Sequence, residues 1–150
     1  MAVTVDVTEH LRSVELFSAL SDRELRGVAA AGRAVVHAPG HEVVVEGGGS
    51  VGFHLVLEGE ALVEVGGDSR PSLTRGDSFG EISVLDGRPR TASVTAGPTG
   101  LVTFAITSWA FATLLDKHPQ LARAVITGLC ARLRTVEQAA VRARAEVSAG

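Results

Sequence analysis

Residues 76–94 read Gly-Asp-Ser-Phe-Gly-Glu-Ile-Ser-Val-Leu-Asp-Gly-Arg-Pro-Arg-Thr-Ala-Ser-Val. Ser78 followed by Glu81 fits a capping box, so a short helix is predicted to begin near Phe79. The first turn of a helix offers free N–H groups and a positive dipole end, and Arg90 brought beside them would make a compact anion site. Glu81 in the same place could accept hydrogen bonds from hydroxyls. This combination suits a sugar phosphate.

The surrounding region, residues 34–106, has the period-two hydrophobicity of short β-strands separated by glycine turns. Within residues 61–65, Ala61, Val63 and Val65 are predicted to face inward, while Glu60 and Glu64 face water. The predicted strands cover residues 35–36, 43–45, 53–57, 61–65, 92–94 and 101–106. The predicted turns include Gly59, Gly66–Gly67 and Gly97–Pro98. Many short strands with such turns indicate a β-barrel or a β-roll. We predict an antiparallel β-roll of about eight strands.

Helical patterns flank the roll on both sides. Residues 8–33 predict two helices, and Ser21 with Glu24 forms a capping box that opens the second, which Gly32 is placed to end. After the roll, the pair Thr107–Ser108 caps a helix that runs to His118. Pro119 then opens a last helix that extends to about Val147, a length of about 42 Å.

The last helix carries an apolar seam at alternating spacings of three and four residues. Its members are Ile126, Leu129, Leu133, Val136, Ala140, Ala143 and Val147. This spacing is typical of a coiled coil, although the second half of the seam has small side chains. The seam predicts a homodimer through the C-terminal helix. The alternative is that the seam packs on the roll of its own chain.

These patterns together predict one α+β domain, which the length of 150 residues also favours. The N-terminal helices occupy residues 1–33, the β-roll occupies 34–106 with the critical stretch at 79–94, and the C-terminal helices occupy 107–150.

The stretch at 79–94 resembles the phosphate-binding cassette of cyclic nucleotide-binding domains, as in catabolite activator proteins, kinase regulatory subunits and cyclic nucleotide-gated channels. That cassette reads Phe-Gly-Glu, two apolar or small residues, a variable run, then Pro-Arg, a small residue, Ala, and Ser or Thr before Val. Here the first part is Phe79 to Ser83 and the second is Pro89 to Val94. The resemblance extends from about Val14 to Leu133, and a long spaced motif is far more specific than a lone glycine pattern.

The resemblance implies a role for each cassette residue. Arg90 would pair with the cyclic phosphate, and Glu81 would accept a hydrogen bond from the ribose 2′-hydroxyl. Gly80 would allow close approach of the ligand, and Thr91 would bond the phosphate and a guanine amino group. Backbone N–H groups would complete the phosphate cradle at Ile82, Ser83 and Ala92.

The resemblance therefore implies binding of a cyclic purine nucleotide, with cAMP favoured over cGMP. The last helix would close over the base by moving at a hinge near residues 115–119. It departs from the family pattern because it has no aromatic residue to stack on the base. The candidates to cover the base instead are Leu129, Arg132, Leu133 and Arg134.

Composition and charge limit the partners and the compartment. The net charge of −3 argues against direct binding to nucleic acid, and residues 1–6 do not resemble a signal peptide. The single cysteine, Cys130, cannot form an internal disulfide, which favours a reducing compartment. We therefore expect a cytoplasmic protein without a membrane segment. Because the resemblance uses almost the whole chain, we expect a stand-alone sensor that acts on an effector protein.

Two other interpretations remain open at this point. Taken singly, Glu81 could be a helix cap and Arg90 a surface residue, which would leave a degenerate, ligand-free interaction module of the same fold. His37 and His41, with Glu46, loosely suggest a cupin-like metal-dependent enzyme. However, Pro39–Gly40 separates the two histidines, and no second histidine stands two residues from either. No nucleophile and base stand at a recognisable spacing, so we expect no enzyme, no metal and no cofactor besides the ligand.

Overall fold

The computed structural model describes residues 7–14, 17–44, 52–80 and 92–149. The helices are α1 (Val7–Arg12), α2 (Asp22–Ala30), α3 (Ser108–Lys117) and α4 (Pro119–Ala149). The strands are β1 (Arg33–His37), β2 (Glu42–Val44), β3 (Gly52–Val65), β4 (Asp68–Leu73), β5 (Ser78–Phe79) and β6 (Ser93–Thr107).

The strands form one antiparallel sheet in which β3 and β6 are the central pair. The main order is β1–β6–β3–β4, while β2 also pairs with β6 and β5 also pairs with β3. The two central strands are 14 and 15 residues long and shift register twice along their pairing. Such shifts bend a strand and increase its twist, which lets one long strand contribute to both halves of a roll. The predicted class, an antiparallel roll with helices on both sides in sequence, is confirmed.

Two predicted turns are wrong, because Gly59 lies inside β3 and the pair Gly97–Pro98 lies inside β6. Gly59 has a φ of +85°, and a Cβ atom on it would lie 2.3 Å from the carbonyl oxygen of Gly100. The glycine is therefore required by a bend and by close contact between the two central strands. The described part of the chain has six strands where about eight were predicted: two pairs of the named predicted strands are continuous, and β4 and β5 are additional.

The sequence pattern also missed β4 and β5. Strand β4 is polar and mostly exposed, contains Pro71, and pairs only with β3, as expected for an edge strand. It follows β3 through the predicted turn at Gly66–Gly67, where both residues have positive φ values of 59° and 83°. Two such residues form the tight turn that matches the twist of a hairpin, so this predicted turn is confirmed.

The predicted start of α2 is confirmed in detail, whereas the reason given for its end is wrong. The Ser21 hydroxyl accepts a hydrogen bond from the Glu24 N–H, and the Glu24 carboxylate accepts one from the Ser21 N–H. The helix ends at Ala30 with Ala31 as its C-cap. Gly32 instead follows the cap, where a Cβ atom would lie 2.4 Å from the ring of Phe104.

The hydrophobic core has two clusters on opposite sides of β3. The larger cluster joins the helices to one face of the roll, and within it the Phe17 ring meets Phe53 edge-on at 5.3 Å. Its buried members are Leu11, Val14, Phe17, Leu20, Leu25, Val28, Phe53, Leu55, Leu57, Phe104, Ile106, Phe111, Leu121 and Val125. The smaller cluster fills the roll and consists of Val56, Ala61, Phe79, Val94, Ala96 and Leu101. The predicted inward direction of Ala61 is confirmed, and Glu64 is exposed as predicted.

The C-terminal helices begin where the sequence predicted. The Thr107 hydroxyl accepts a hydrogen bond from the Ala110 N–H and caps α3. His118 is the C-cap of α3, and Pro119 opens α4, which continues to Ala149. Across the described ranges, no helix combines the length and apolar character needed to cross a membrane.

Candidate functional site

The two ends of the cassette-like stretch are both anchored on β3. Before the stretch, β5 pairs Phe79 with His54 and Ser78 with Leu55. After it, Ser93 opens β6 opposite Glu64. Because β3 is one continuous strand, residues 80–92 connect two points ten residues apart on the same scaffold.

Phe79 is a strand residue of β5 and is 8% exposed, so the helix predicted to begin near Phe79 does not include Phe79 itself. Gly80 follows with a φ of +88°, a conformation that a residue with a Cβ atom adopts at a cost. The chain therefore turns away from the sheet at the glycine of the Phe-Gly-Glu motif. Gly80 and Ala92 are both half-buried.

The other predicted ligand-binding residues, Glu81, Ile82, Ser83, Arg90 and Thr91, lie outside the described residues. The same holds for the predicted cassette helix. Their assigned roles stay predictions.

A tight turn immediately before β5 holds the entry to the cassette. The Asp77 carboxylate accepts a hydrogen bond of 2.9 Å from the Thr74 N–H, and Gly76 has a φ of +95°. The Val56 N–H donates to the carbonyl of Asp77 at 2.8 Å, and the Gly76 N–H donates to the carbonyl of Val56 at 2.9 Å. Asp77 thus has a structural role that the sequence analysis missed, although an Asp at the end of a turn before a strand is a recognisable signal.

A polar cluster in the roll interior lies directly beside Phe79. Ring nitrogens of His37 and His54 each lie 3.0 Å from the Thr103 hydroxyl oxygen. The His54 ring stacks on the Phe79 ring at 4.8 Å, with an interplanar angle of 8°. Burial, and to a lesser extent the neighbouring His41, lowers the pKa of His37 below its ordinary value.

The rings of His37 and His41, considered earlier as metal ligands, are close in space. The His37 and His41 rings stack 6.1 Å apart, while Glu46 lies outside the described residues. Among the residues that the structure describes, no three His, Cys, Asp or Glu side chains are arranged to hold a metal ion. The sequence showed the histidines but not their common partner Thr103, since 66 and 49 residues separate it from His37 and His54.

The candidate base-covering residues of α4 differ in how far they are buried. The helix packs on the core through Leu121, Val125 and Gly128, and Leu129 is half-buried against the same cluster. Further along the helix, Arg132 is half-buried, whereas Leu133 and Arg134 are exposed.

The predicted apolar seam of α4 is largely exposed. The exposed fractions are 59% for Ile126, 57% for Leu133, 57% for Val136 and 82% for Val147. The alternative interpretation, that the seam packs on the roll of its own chain, is therefore wrong for these residues.

A groove of about 760 Å³ separates the α3–α4 corner from α2. The corner supplies Leu114, Lys117, His118, Pro119, Gln120 and Leu121, and the N-terminal side supplies Ser21, Arg23, Glu24 and Gly27. The predicted hinge at residues 115–119 includes this corner.

Comparison with known proteins agrees with the fold. The family model of the cyclic nucleotide-binding domain matches residues 35–118, more than half of the chain. The chain belongs to the cyclic nucleotide-binding domain family. In this family member, the match begins within β1 and ends at the C-cap of α3. The predicted base-covering residues on α4 therefore lie outside the matched segment.

Three individual relatives illustrate this membership. A cAMP-dependent protein kinase regulatory subunit of Yarrowia lipolytica is 40% identical over 88 residues, which is 57% of this domain but 24% of the relative. The N-terminal domain of a transcriptional regulator from Streptomyces coelicolor superposes with a TM-score of 0.76 at 27% identity, covering 87% of this chain and 96% of that one. The regulatory domain of Toxoplasma gondii PKA, crystallised with cAMP, gives a TM-score of 0.64 at 25% identity, covering 72% and 43% of the two chains.

Proposed function

We propose that this domain binds a cyclic purine mononucleotide, with cAMP favoured over cGMP, and acts as a cytoplasmic regulatory sensor rather than as an enzyme. The observation that carries the proposal is the complete cassette motif at the place where the chain leaves β5 and returns to β6. The kinase regulatory subunits among its relatives are named for dependence on cAMP, and one similar regulatory domain was crystallised with cAMP.

The proposed roles follow from the chemistry of the ligand. A cyclic phosphate is an anion, so Arg90 pairs with it and the N–H groups of Ile82, Ser83 and Ala92 donate to it. The ribose 2′-hydroxyl is a donor, so the Glu81 carboxylate accepts from it. Gly80 has no side chain, so the backbone can approach the ligand closely at this point. Its positive φ is also a conformation that glycine adopts readily.

The proposed response is a change in the position of α4. Ligand binding draws in the cassette, and α4 closes over the base with Leu129, Arg132, Leu133 or Arg134. The groove beside the α3–α4 corner supports this proposal, because the corner has room to move toward α2. The ligand can drive the change only if it binds the closed state more tightly than the open state.

We also propose that the domain forms a homodimer through α4 and signals to an effector protein. The exposed seam supports dimerisation, because Ile126, Leu133 and Val136 would bury apolar surface against the same residues of a second copy. Direct binding to nucleic acid or to a membrane is not part of the proposal.

Calorimetric titration with cAMP and with cGMP tests the proposal. We expect the wild type to bind cAMP more tightly than cGMP, and Arg90→Ala to lose at least tenfold in affinity for both, since an anion loses its charged partner. Arg26→Ala is a matched control, because Arg26 is exposed on α2. A wild type that binds neither nucleotide at high micromolar concentration would support the ligand-free module instead. Equal binding by Arg90→Ala and wild type would refute the assigned role of Arg90.

A further inference from the structure

The roll contains a buried polar cluster, defined here as His37, His54 and Thr103, that the proposed ligand contacts do not use. The exposed fractions of these residues are 9%, 5% and 0%. Both imidazole rings reach the same hydroxyl at 3.0 Å, and the ring centroids of the two histidines lie 6.0 Å apart. Buried polar side chains in an otherwise apolar interior persist when they satisfy one another, so the cluster is a specific arrangement.

The shared hydroxyl accommodates at most one protonated ring. A threonine hydroxyl has one proton to donate and two lone pairs that accept. With neutral rings, one ring N–H can donate to the oxygen while the hydroxyl proton is donated to the other ring. If both rings are protonated, every ring nitrogen becomes a donor, so two N–H groups and two positive charges converge on one oxygen in a poorly hydrated space.

The surroundings offer no compensating negative charge in the described part of the cavity. This cavity of about 340 Å³ has four titratable or charged lining residues: His37 and Arg33 from β1, His41 from the turn before β2, and His54 from β3. The described lining residues from β6 are Ala105, Ile106 and Thr107, none of them charged. Glu42 of β2 is exposed and does not line the cavity. Protonation of His37 therefore adds a positive charge close to the His41 ring, 6.1 Å away.

The cluster is mechanically connected to the start of the cassette. His54 pairs with Phe79 in the sheet and stacks on its ring at 4.8 Å. Phe79 immediately precedes Gly80, where the chain leaves the sheet. If His54 moves away from a charged His37, its contact with Phe79 must also change. Phe79 is the residue that anchors the start of the cassette.

We propose that the His37–Thr103–His54 cluster is a pH-sensitive element that holds the cassette entry in place when neutral and loosens it when His37 is protonated. Lowering of the His37 pKa by burial agrees with this geometry. The folded state then favours the neutral ring, so the stabilisation is fully present above the ordinary pKa of 6.5 and decreases as the pH falls below it.

The first test concerns stability and needs no ligand. If the folded state cannot accept the proton, the folding equilibrium constant falls by up to about tenfold between pH 7.5 and 5.5, since the unfolded histidine titrates near 6.5. Urea unfolding should show this decrease in the wild type and a smaller one in His37→Gln, which keeps a donor and an acceptor near Thr103. His118→Gln is the matched control, because His118 is exposed at the end of α3 and should keep the full decrease.

NMR titration of the five histidines in the intact wild-type chain provides a measurement that does not depend on any variant folding. We expect the pKa of His37 to lie below its ordinary value of 6.5. A His37 ring that titrates at or above that value would overturn the proposal. An unfolding equilibrium with the same pH dependence in His37→Gln and wild type would overturn it as well.

The second test concerns the cassette and rests on the proposed function. Titration with cAMP at pH 7.5 and 5.5 should show at least threefold weaker binding at the lower pH in the wild type and a smaller change in His37→Gln. Tighter binding at pH 5.5 would refute the connection through Phe79. It would mean that protonation affects the affinity by adding positive charge that attracts the anionic ligand, and not by loosening the cassette entry. If cAMP does not bind at pH 7.5, the proposed function fails, while the stability test still decides on the cluster.

Discussion

Replacing Gly32 with alanine should destabilise the domain, whereas the same replacement at Gly27 should stabilise it. Neither glycine has the positive φ that would itself disfavour a side chain. At Gly32 a Cβ atom would lie 2.4 Å from Phe104 Cζ, 2.6 Å from the backbone oxygen of Ala105 and 2.8 Å from Ile106 Cγ1. At Gly27, inside α2, it would meet nothing within 4 Å. Both variants add the same methyl group, so they differ only in the surroundings of that group.

The expected magnitudes follow from these contacts. Overpacking a well-packed core costs about 1–3 kcal/mol, and at Gly32 one of the clashing atoms belongs to the backbone of β6 and cannot rotate away. In α2, the Gly27→Ala exchange should gain about 0.5–1 kcal/mol, because alanine loses less backbone entropy in a helix. For a chain of this length each kcal/mol corresponds to roughly 2–4 °C in Tm.

Urea unfolding followed by circular dichroism checks this pair of predictions. The midpoint should fall for Gly32→Ala and rise for Gly27→Ala, with the slope of each transition unchanged, so that the midpoint shift reports stability. The reasoning is refuted if Gly32→Ala is as stable as the wild type. That result would mean that the short connection between α2 and β1, which contains Gly32, does not pack tightly on β6.

Three further predictions address the dimer, the helix cap and the base. Val136→Glu should convert the proposed dimer into a monomer in sedimentation analysis. Val141→Glu should leave the dimer intact, because Val141 is similarly exposed but lies off the seam. A monomeric wild type would contradict the proposed dimer. Ser21→Ala should lower the free energy of unfolding by about 1 kcal/mol in urea, since it removes the cap of α2, and an unchanged midpoint would count against the cap. Thr91→Ala should weaken cGMP binding more than cAMP binding in calorimetry, and equal losses would remove its role in recognising guanine.

Features set by neighbouring residues were predictable. The capping box of α2 depends on two residues three positions apart, and the start of α4 depends on a proline that fits the first turn of a helix. The cassette motif was recognisable for the same reason, since its residue types and spacing lie within one short stretch. The hairpin turn at Gly66–Gly67 needs only two residues that tolerate positive φ.

Features that depend on distant strands were not predictable. Gly59 and Gly97 look like turn residues in sequence, yet both lie within long strands. At Gly59 the close approach of β3 and β6 leaves no room for a side chain. Strand β4 has no apolar alternation to detect, since it is an exposed edge strand held by backbone hydrogen bonds to β3. Hydrogen bonds of that kind leave no periodic signal in side chains.

The sequence by itself predicted the family, the helices on both sides of the roll and the candidate ligand residues, because the capping residues, the periodicity and the spaced motif each lie within short stretches of the chain. Only the tertiary structure decided that His37, His54 and Thr103 meet in the roll, and that Phe79 stacks on that cluster at the entry to the cassette. It also decided that Ile126, Leu133, Val136 and Val147 of the α4 seam are exposed. These contacts join residues far apart in the chain, and their geometry is set by strand register and helix packing.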